Sequence, residues 1–170
     1  MKKITLLVVV AGISAIIMYA GCGGGSSTPA TPSSKAVLTF TSSGALASGT
    51  QIGGIDLTIA LPAGVTAQAS VSKENVSKVA TYGGIVTASG VAASTNAITM
   101  ATFTDPNLLR IQVGNPTGFG IGEFATVTCD IIAGSNVTSD QFTNPTIFSA
   151  VDLNGVPISG LSAGLAAVIQ

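Results

Sequence analysis

The sequence contains no histidine and no tryptophan, and only 8% of its residues are charged. Histidine is the commonest general base and a frequent zinc ligand, so its absence excludes most triad and zinc-site chemistry. The six basic residues include a single adjacent pair, Lys2-Lys3. The chain therefore has no basic cluster of the kind that binds nucleic acid through its phosphates.

What remains is an apolar chain that is rich in small residues. Of its 170 residues, 46% are hydrophobic and 21 are glycine. This apolar content is too high for a disordered chain, and the length predicts a single domain. Abundant Gly, Ser and Thr with few ionisable groups favour a scaffold of strands and turns.

The N-terminus has the pattern of an export signal. Lys2 and Lys3 precede an uncharged, mostly apolar run from Ile4 to Ala20, which ends in Ala20-Gly21-Cys22. Two small residues before a cysteine resemble the lipobox of bacterial lipoproteins. That resemblance implies cleavage before Cys22, lipidation of Cys22, and attachment to the membrane through it. Residues 1–21 are then the signal peptide, and residues 22–34 are a Gly/Ser/Thr/Pro tether.

A retained membrane helix is the alternative, because the apolar run reaches the lower end of the ~17–25 residues that span a bilayer. The flexible stretch directly behind Cys22 favours lipidation. Gly23 follows the cysteine where an aspartate would signal inner-membrane retention. The resemblance thus implies a lipid-anchored protein of the cell envelope, at the outer membrane or cell surface if the cell is Gram-negative.

Residues 35–170 carry the alternating pattern of half-buried strands. From Ile55 to Leu61 the odd positions are large and aliphatic, and Phe124 to Ile132 alternates in the same way. Further strands are predicted at 36–42, 84–88, 97–103, 108–113, 146–153 and 164–169. Roughly eight strands with Gly-rich turns predict an all-β, antiparallel sandwich of about eight or nine strands.

Turn residues separate these runs. Turns are predicted at 61–64, 105–107, 114–118 and 152–155, where Pro, Asn, Asp and Gly cluster. Residues 72–80 have a mixed polar pattern that fits either a short helix or a loop.

Three segments of this domain resemble the cohesin family. They are the glycine-rich turn and strand from Gly118 to Thr128, the late Val151-Asp152-Leu153-Asn154-Gly155 turn, and the early strand from Ile55 to Leu61. The resemblance covers about residues 36–170. It implies a jelly-roll-type sandwich related in fold to cellulose-binding modules. It also implies a role in protein–protein association, with a dockerin-like protein as the partner.

Few residues suggest catalysis or a cofactor. Glu74 and Glu123 are the only glutamates, and no motif pairs them as a glycosidase would require. Gly118-x-Gly120-x-Gly122 precedes a predicted strand rather than a helix, which indicates a turn and not a phosphate loop. Cys129 lies on the apolar face of its strand and is predicted to be a core residue. We therefore predict no catalytic residue and no cofactor.

Asp152-x-Asn154-Gly155 has the start of a calcium loop but lacks the later bidentate glutamate. A turn is the preferred interpretation, and Asp152 and Asn154 remain weak calcium candidates.

Tyr82 and Phe119 are the candidates for an exposed aromatic at a ligand site, since Tyr82 is the single tyrosine after the signal and Phe119 lies between glycines. The sequence as a whole predicts a non-catalytic, membrane-anchored binding and display module, with protein association preferred. A polysaccharide-binding module is the alternative, and a glycoside hydrolase-type enzyme ranks below it.

Overall fold

The computed structural model describes residues 34–67, 79–82, 85–104 and 106–170, and for residues 79–82 it describes the backbone alone. The signal segment, Cys22, the tether up to residue 33, Glu74 and residues 72–78 lie outside these ranges. Within them, no helix is long and apolar enough to cross a membrane.

The described ranges form ten strands and two single 3₁₀ turns. The strands are Ser34–Gly44 (β1), Ile52–Ala60 (β2), Val65–Thr66 (β3), Val79–Tyr82 (β4), Val86–Ala88 (β5), Ile98–Thr104 (β6), Leu108–Phe119 (β7), Gly122–Ile131 (β8), Ile147–Asp152 (β9) and Leu161–Ile169 (β10). The 3₁₀ turns are Gly90–Ala92 and Ser139–Gln141.

The strands assemble into two antiparallel sheets. Sheet A has the order β10-β1-β8, and both β3 and β5 pair with the far edge of β8. Sheet B has the order β4-β6-β7-β2-β9. The predicted all-β antiparallel sandwich is confirmed.

The core lies between the sheets and is built from the alternating aliphatic positions. Ile55, Leu57 and Ile59 on β2 are buried, as the pattern predicts. They pack in one cluster with residues of sheet A, where the Phe40 and Phe124 rings lie 6.3 Å apart between centroids. Each such side chain contributes roughly 1.5–3 kcal/mol on burial, so the alternation in the sequence determines which face of each strand turns inward.

All eight predicted strands coincide with observed ones, and two strands were missed. β3 has two residues and is too short to leave a pattern. β4 includes Val79 and Ala80, so the prediction of helix or loop is wrong for the end of the 72–80 stretch. The rest of that stretch is not described.

The predicted turns have mixed outcomes. Those at 61–64 and 152–155 are confirmed, with Gly64 and Gly155 at positive φ. The turn predicted at 114–118 is wrong, because β7 runs through it to Phe119. Ile52 and Gly54 are two residues apart on β2, but their partners on β7, Phe119 and Gly114, are five residues apart. β7 therefore bulges between Gly114 and Phe119.

Asn115 and Pro116 lie in this bulge. Asn115 is buried, and its Oδ1 accepts hydrogen bonds from Thr117 N at 3.0 Å and Thr117 Oγ1 at 2.7 Å. Pro116 lies beyond Gly114, where the pairing of β7 with β6 ends. A proline is compatible with a strand at such a bulge, because no ladder hydrogen bond depends on its nitrogen.

Candidate functional site: a glycine-floored trough on sheet B

The outer face of sheet B carries a shallow, open trough of about 490 Å³. Its lining comes from β2, β6, β7 and β9, with Gly54, Ile55, Asp56, Ile98, Met100, Gln112, Val113, Gly114, Ser149 and Val151 around it. The register of the four strands arranges the outward-facing members of this set in two rows that run across the sheet.

The first row forms the floor and the two walls. Gly54 on β2 and Gly114 on β7 are directly opposite each other. Ile98 on β6 pairs with Gly114, and Val151 on β9 pairs with Gly54. Since neighbouring strands are ~4.8 Å apart, the two walls stand roughly 14 Å apart with no side chain between them.

The glycine at position 114 is not required by the backbone. Gly114 does not have a positive φ, and a Cβ placed there would have Gly53 O, at 3.9 Å, as its nearest neighbour. Gly44 is different, because its φ is 127° and a Cβ would lie 2.4 Å from Gly160 O. Glycine in a strand interior weakens the strand and often marks close approach by a ligand or another backbone.

The second row closes one end of the trough with polar groups. Met100, Gln112, Asp56 and Ser149 follow one another across β6, β7, β2 and β9. Gln112 Nε2 donates to Asp56 Oδ2 at 3.0 Å. The Arg110 guanidinium also donates to Asp56, with Nε 2.9 Å from Oδ1 and 3.1 Å from Oδ2.

These contacts keep the carboxylate charged. Hydrogen bonding from Arg110 holds the pKa of Asp56 below its usual range, against a smaller opposing effect of partial burial, and Gln112 adds to the lowering. The same ion pair raises the pKa of Arg110. The polar end of the trough therefore contains one anion and one cation that neutralise each other.

The wall on β6 is an exposed apolar part of the face. Ile98 is 70% exposed and Met100 is 42% exposed. Both are large hydrophobic side chains that the fold leaves in water, beside a floor without side chains. Together they give the face a protruding apolar edge next to a depression.

The two aromatic residues singled out in the sequence are not part of this trough. Phe119 is 3% exposed and packs in the core, so the prediction that it is an exposed aromatic is wrong. The bulge in β7 sets its position opposite Ile52, inside the sandwich. Tyr82 is the last residue of the edge strand β4, where its backbone pairs with Ala101. Its side chain is not described.

Asp152 and Asn154 form a hairpin turn. Asp152 Oδ1 accepts hydrogen bonds from Asn154 N and Val156 N, both at 2.8 Å. The bond from Val156 N is the largest of the effects that lower the pKa of Asp152. Within the described ranges, no three His, Cys, Asp or Glu side chains cluster as a metal site would require.

The remaining candidates within the described ranges, Cys129 and Glu123, lie on sheet A. Cys129 is buried, and its burial, with a smaller effect of Asp130, raises its pKa to about 12, which confirms it as a core residue. Glu123 is on β8 opposite Thr41, on the sheet that does not carry the trough.

Sequence reasoning missed the trough. The one available signal was a glycine next to each of two predicted strands, at positions 54 and 114. The predicted strands begin at Ile55 and end at Val113, so Gly54 lies just outside one strand and Gly114 falls in the predicted turn at 114–118. Their direct pairing depends on the register between β2 and β7, which a single sequence does not specify.

Comparison of the chain with protein-family models, with curated proteins and with solved structures gave no match.

Proposed function

We propose that the protein is a non-catalytic binding module, displayed at the cell envelope by a lipid anchor on Cys22, and that the outer face of sheet B is its protein-interaction surface. The observation that carries this proposal is the trough floored by Gly54 and Gly114. Because Gly114 is not needed for the fold, its missing side chain is best explained by what comes to lie above it.

The composition of the face supports a protein partner. Exposed apolar patches rimmed by polar residues are typical of protein-interaction sites. Ile98 and Met100 supply the apolar part, and the Asp56–Arg110 pair supplies a polar rim whose charges are already balanced. The cohesin-like segments in the sequence suggest the same class of function, protein–protein association.

Polysaccharide binding is the weaker alternative on this face. Sugar-binding surfaces commonly stack pyranose rings on exposed aromatic rings, and no phenylalanine in the described ranges is exposed. Phe40, Phe119 and Phe124 are buried, and Phe103, Phe142 and Phe148 pack against the core. The trough has aliphatic walls instead, which suit apolar side chains of a protein.

The test compares two glycine variants of the full chain that differ only in location. Gly114→Val fills the trough. Gly164→Val is the matched control, because Gly164 lies on sheet A opposite exposed Thr41, without positive φ, and its nearest neighbour is Thr41 O, also at 3.9 Å.

Proteins captured from envelope extracts by the wild type and by the control variant, but not by Gly114→Val, would support the proposal. Capture that is unchanged by Gly114→Val would contradict it. A glycan array run with the same three proteins tests the alternative. Loss of lipid labelling in Cys22→Ser, with retention in wild type, tests the anchor separately.

A further inference from the structure

We propose that the occupant of the trough is a second copy of this chain, so that two molecules pack sheet B against sheet B. This inference rests on the proposed function of that face and names its partner.

The protruding residue and the recess are neighbours on adjacent strands. Ile98 on β6 is directly paired with Gly114 on β7. A two-fold axis parallel to the strands, lying between β6 and β7, therefore brings Ile98 of each copy over Gly114 of the other. An interface of this kind is isologous, because the same patch of each molecule supplies both the projection and the depression.

The same axis gives acceptable neighbours in the next two rows. Met100 is paired with Gln112, and Thr102 is paired with Arg110. Across the two-fold axis, Met100 of one copy lies over position 112 of the other, and Thr102 lies over position 110. The same axis lays β2, the strand that carries Asp56, over β4 of the other copy.

The charge of the face permits self-association. Two copies of a surface with a net charge would repel each other when they meet. The described side chains of these rows include one anion, Asp56, and one cation, Arg110, and these two are bonded to each other. Their neighbours Thr58, Thr102 and Gln112 are uncharged, so no like charges are opposed among the side chains that the structure describes.

The area of the face sets the strength of the dimer. The axis lays β4, β6, β7 and β2 of one copy over β2, β7, β6 and β4 of the other. Four strands ~4.8 Å apart and four rows ~6.7 Å apart cover roughly 500 Å² on each copy. The total of about 1,000 Å² is at the lower limit for a specific interface. The dimer is thus of the weak class, and anchoring of both copies in one membrane would favour it by raising their effective concentration.

The test is the oligomeric state of the full chain, measured by sedimentation equilibrium over a range of protein concentrations. We expect a concentration-dependent dimer in the wild type. Gly114→Val and Ile98→Ser should weaken it at least ~10-fold. Gly164→Val and Val168→Ser should not, because Gly164 and the exposed Val168 belong to sheet A.

The Gly114→Val variant is expected to weaken the dimer without unfolding the protein. A Cβ at position 114 meets no close neighbour, and valine favours strands more than glycine does, so Gly114→Val should melt at or above the wild-type temperature. If Gly114→Val does not fold, Ile98→Ser carries the test, since Ile98 is already in water.

A wild type that is monomeric at every concentration would overturn the inference, and so would a dimer that is unaffected by both sheet B variants. If the chain is monomeric but captures a different protein in a manner blocked by Gly114→Val, the second copy is ruled out as occupant while the proposed function stands.

Discussion

The guanidinium of Arg110 reaches diagonally across sheet B to the carboxylate of Asp56, and its Nε lies 2.9 Å from Oδ1. In the register, Arg110 is opposite Thr58, and Asp56 is opposite Gln112. Diagonal neighbours on one face of a sheet are within reach of long side chains. The result is a polar cluster that links β2 and β7 beside the glycine floor and remains half in solvent.

The first prediction concerns the pH dependence of this cluster. The folded-state pKa of Asp56 is lowered, so Asp56 contributes stability that is present above the unfolded-state value of ~3.9 and is lost as the pH falls through the folded value. We expect Asp56→Asn to lower the free energy of unfolding at pH 7, and the difference from wild type to shrink below about pH 4. Urea unfolding of wild type and Asp56→Asn at pH 7, 5, 4 and 3 measures this difference in the free energy of unfolding.

Ser149→Ala is the control for this series, because Ser149 is opposite Asp56 on β9 and carries no charge. Its difference from wild type should not change with pH. Added salt should reduce the effect of Asp56→Asn, since the Arg110 side chain is 54% exposed. A difference that persists unchanged to pH 3 would show that the ionised carboxylate is not what stabilises the cluster.

Alternation along the strands accounts for the part of the fold that the sequence could predict. Burying Ile55, Leu57 and Ile59 on one side requires the intervening residues to face outward, and this holds for any partner strand. The bulge in β7 could not be predicted in the same way. Asn115-Pro116 is a common turn dipeptide, and here it is held within a strand by the side chain of Asn115.

The second prediction tests the core. Leu57 is fully buried between the sheets, so Leu57→Ala should lower the free energy of unfolding by about 2–5 kcal/mol through lost burial and a residual cavity. Thr58→Ala, one residue along on the outer face, should change it by no more than about 0.5 kcal/mol. Chemical denaturation of both variants makes the comparison. Equal losses would mean that β2 does not present alternate faces to the core and to water.

The third prediction concerns the thiol of Cys129. Its pKa of about 12 leaves very little thiolate at pH 8, and the side chain is buried. We expect no alkylation of Cys129 by iodoacetamide in the folded protein and rapid alkylation in denaturant, because the thiolate is the reactive form. Peptide mass mapping separates Cys129 from Cys22. Fast labelling of Cys129 under native conditions would contradict its assignment to the core.

The candidate site was less predictable than the core, for two physical reasons. The trough arises where Gly54 and Gly114 face each other, and the register that pairs them is set by the whole sheet. The second reason concerns Phe119, whose position between glycines predicts an exposed side chain. The bulge in β7 instead places it opposite Ile52 in the core.

The last prediction tests the bulge that shapes this end of β7. Asn115 is 3% exposed, and its Nδ2 donates to the carbonyl oxygen of buried Ala92. In Asn115→Ala that carbonyl loses the donor, while Thr117 is exposed and can bond to water instead. We expect a loss of about 1–3 kcal/mol in the free energy of unfolding. Asn96→Ala is the control, since Asn96 is exposed and should change stability by less than about 0.5 kcal/mol.

Asn115→Asp extends the test. An aspartate keeps the acceptor for Thr117 but directs a carboxylate oxygen at the Ala92 carbonyl and buries a charge. Its destabilisation should therefore exceed that of Asn115→Ala at pH 7 and decrease as the pH falls and the carboxyl group is protonated. If Asn115→Asp is as stable as wild type at pH 7, the donor to Ala92 does not hold the bulge, and Thr117 alone fixes the course of β7.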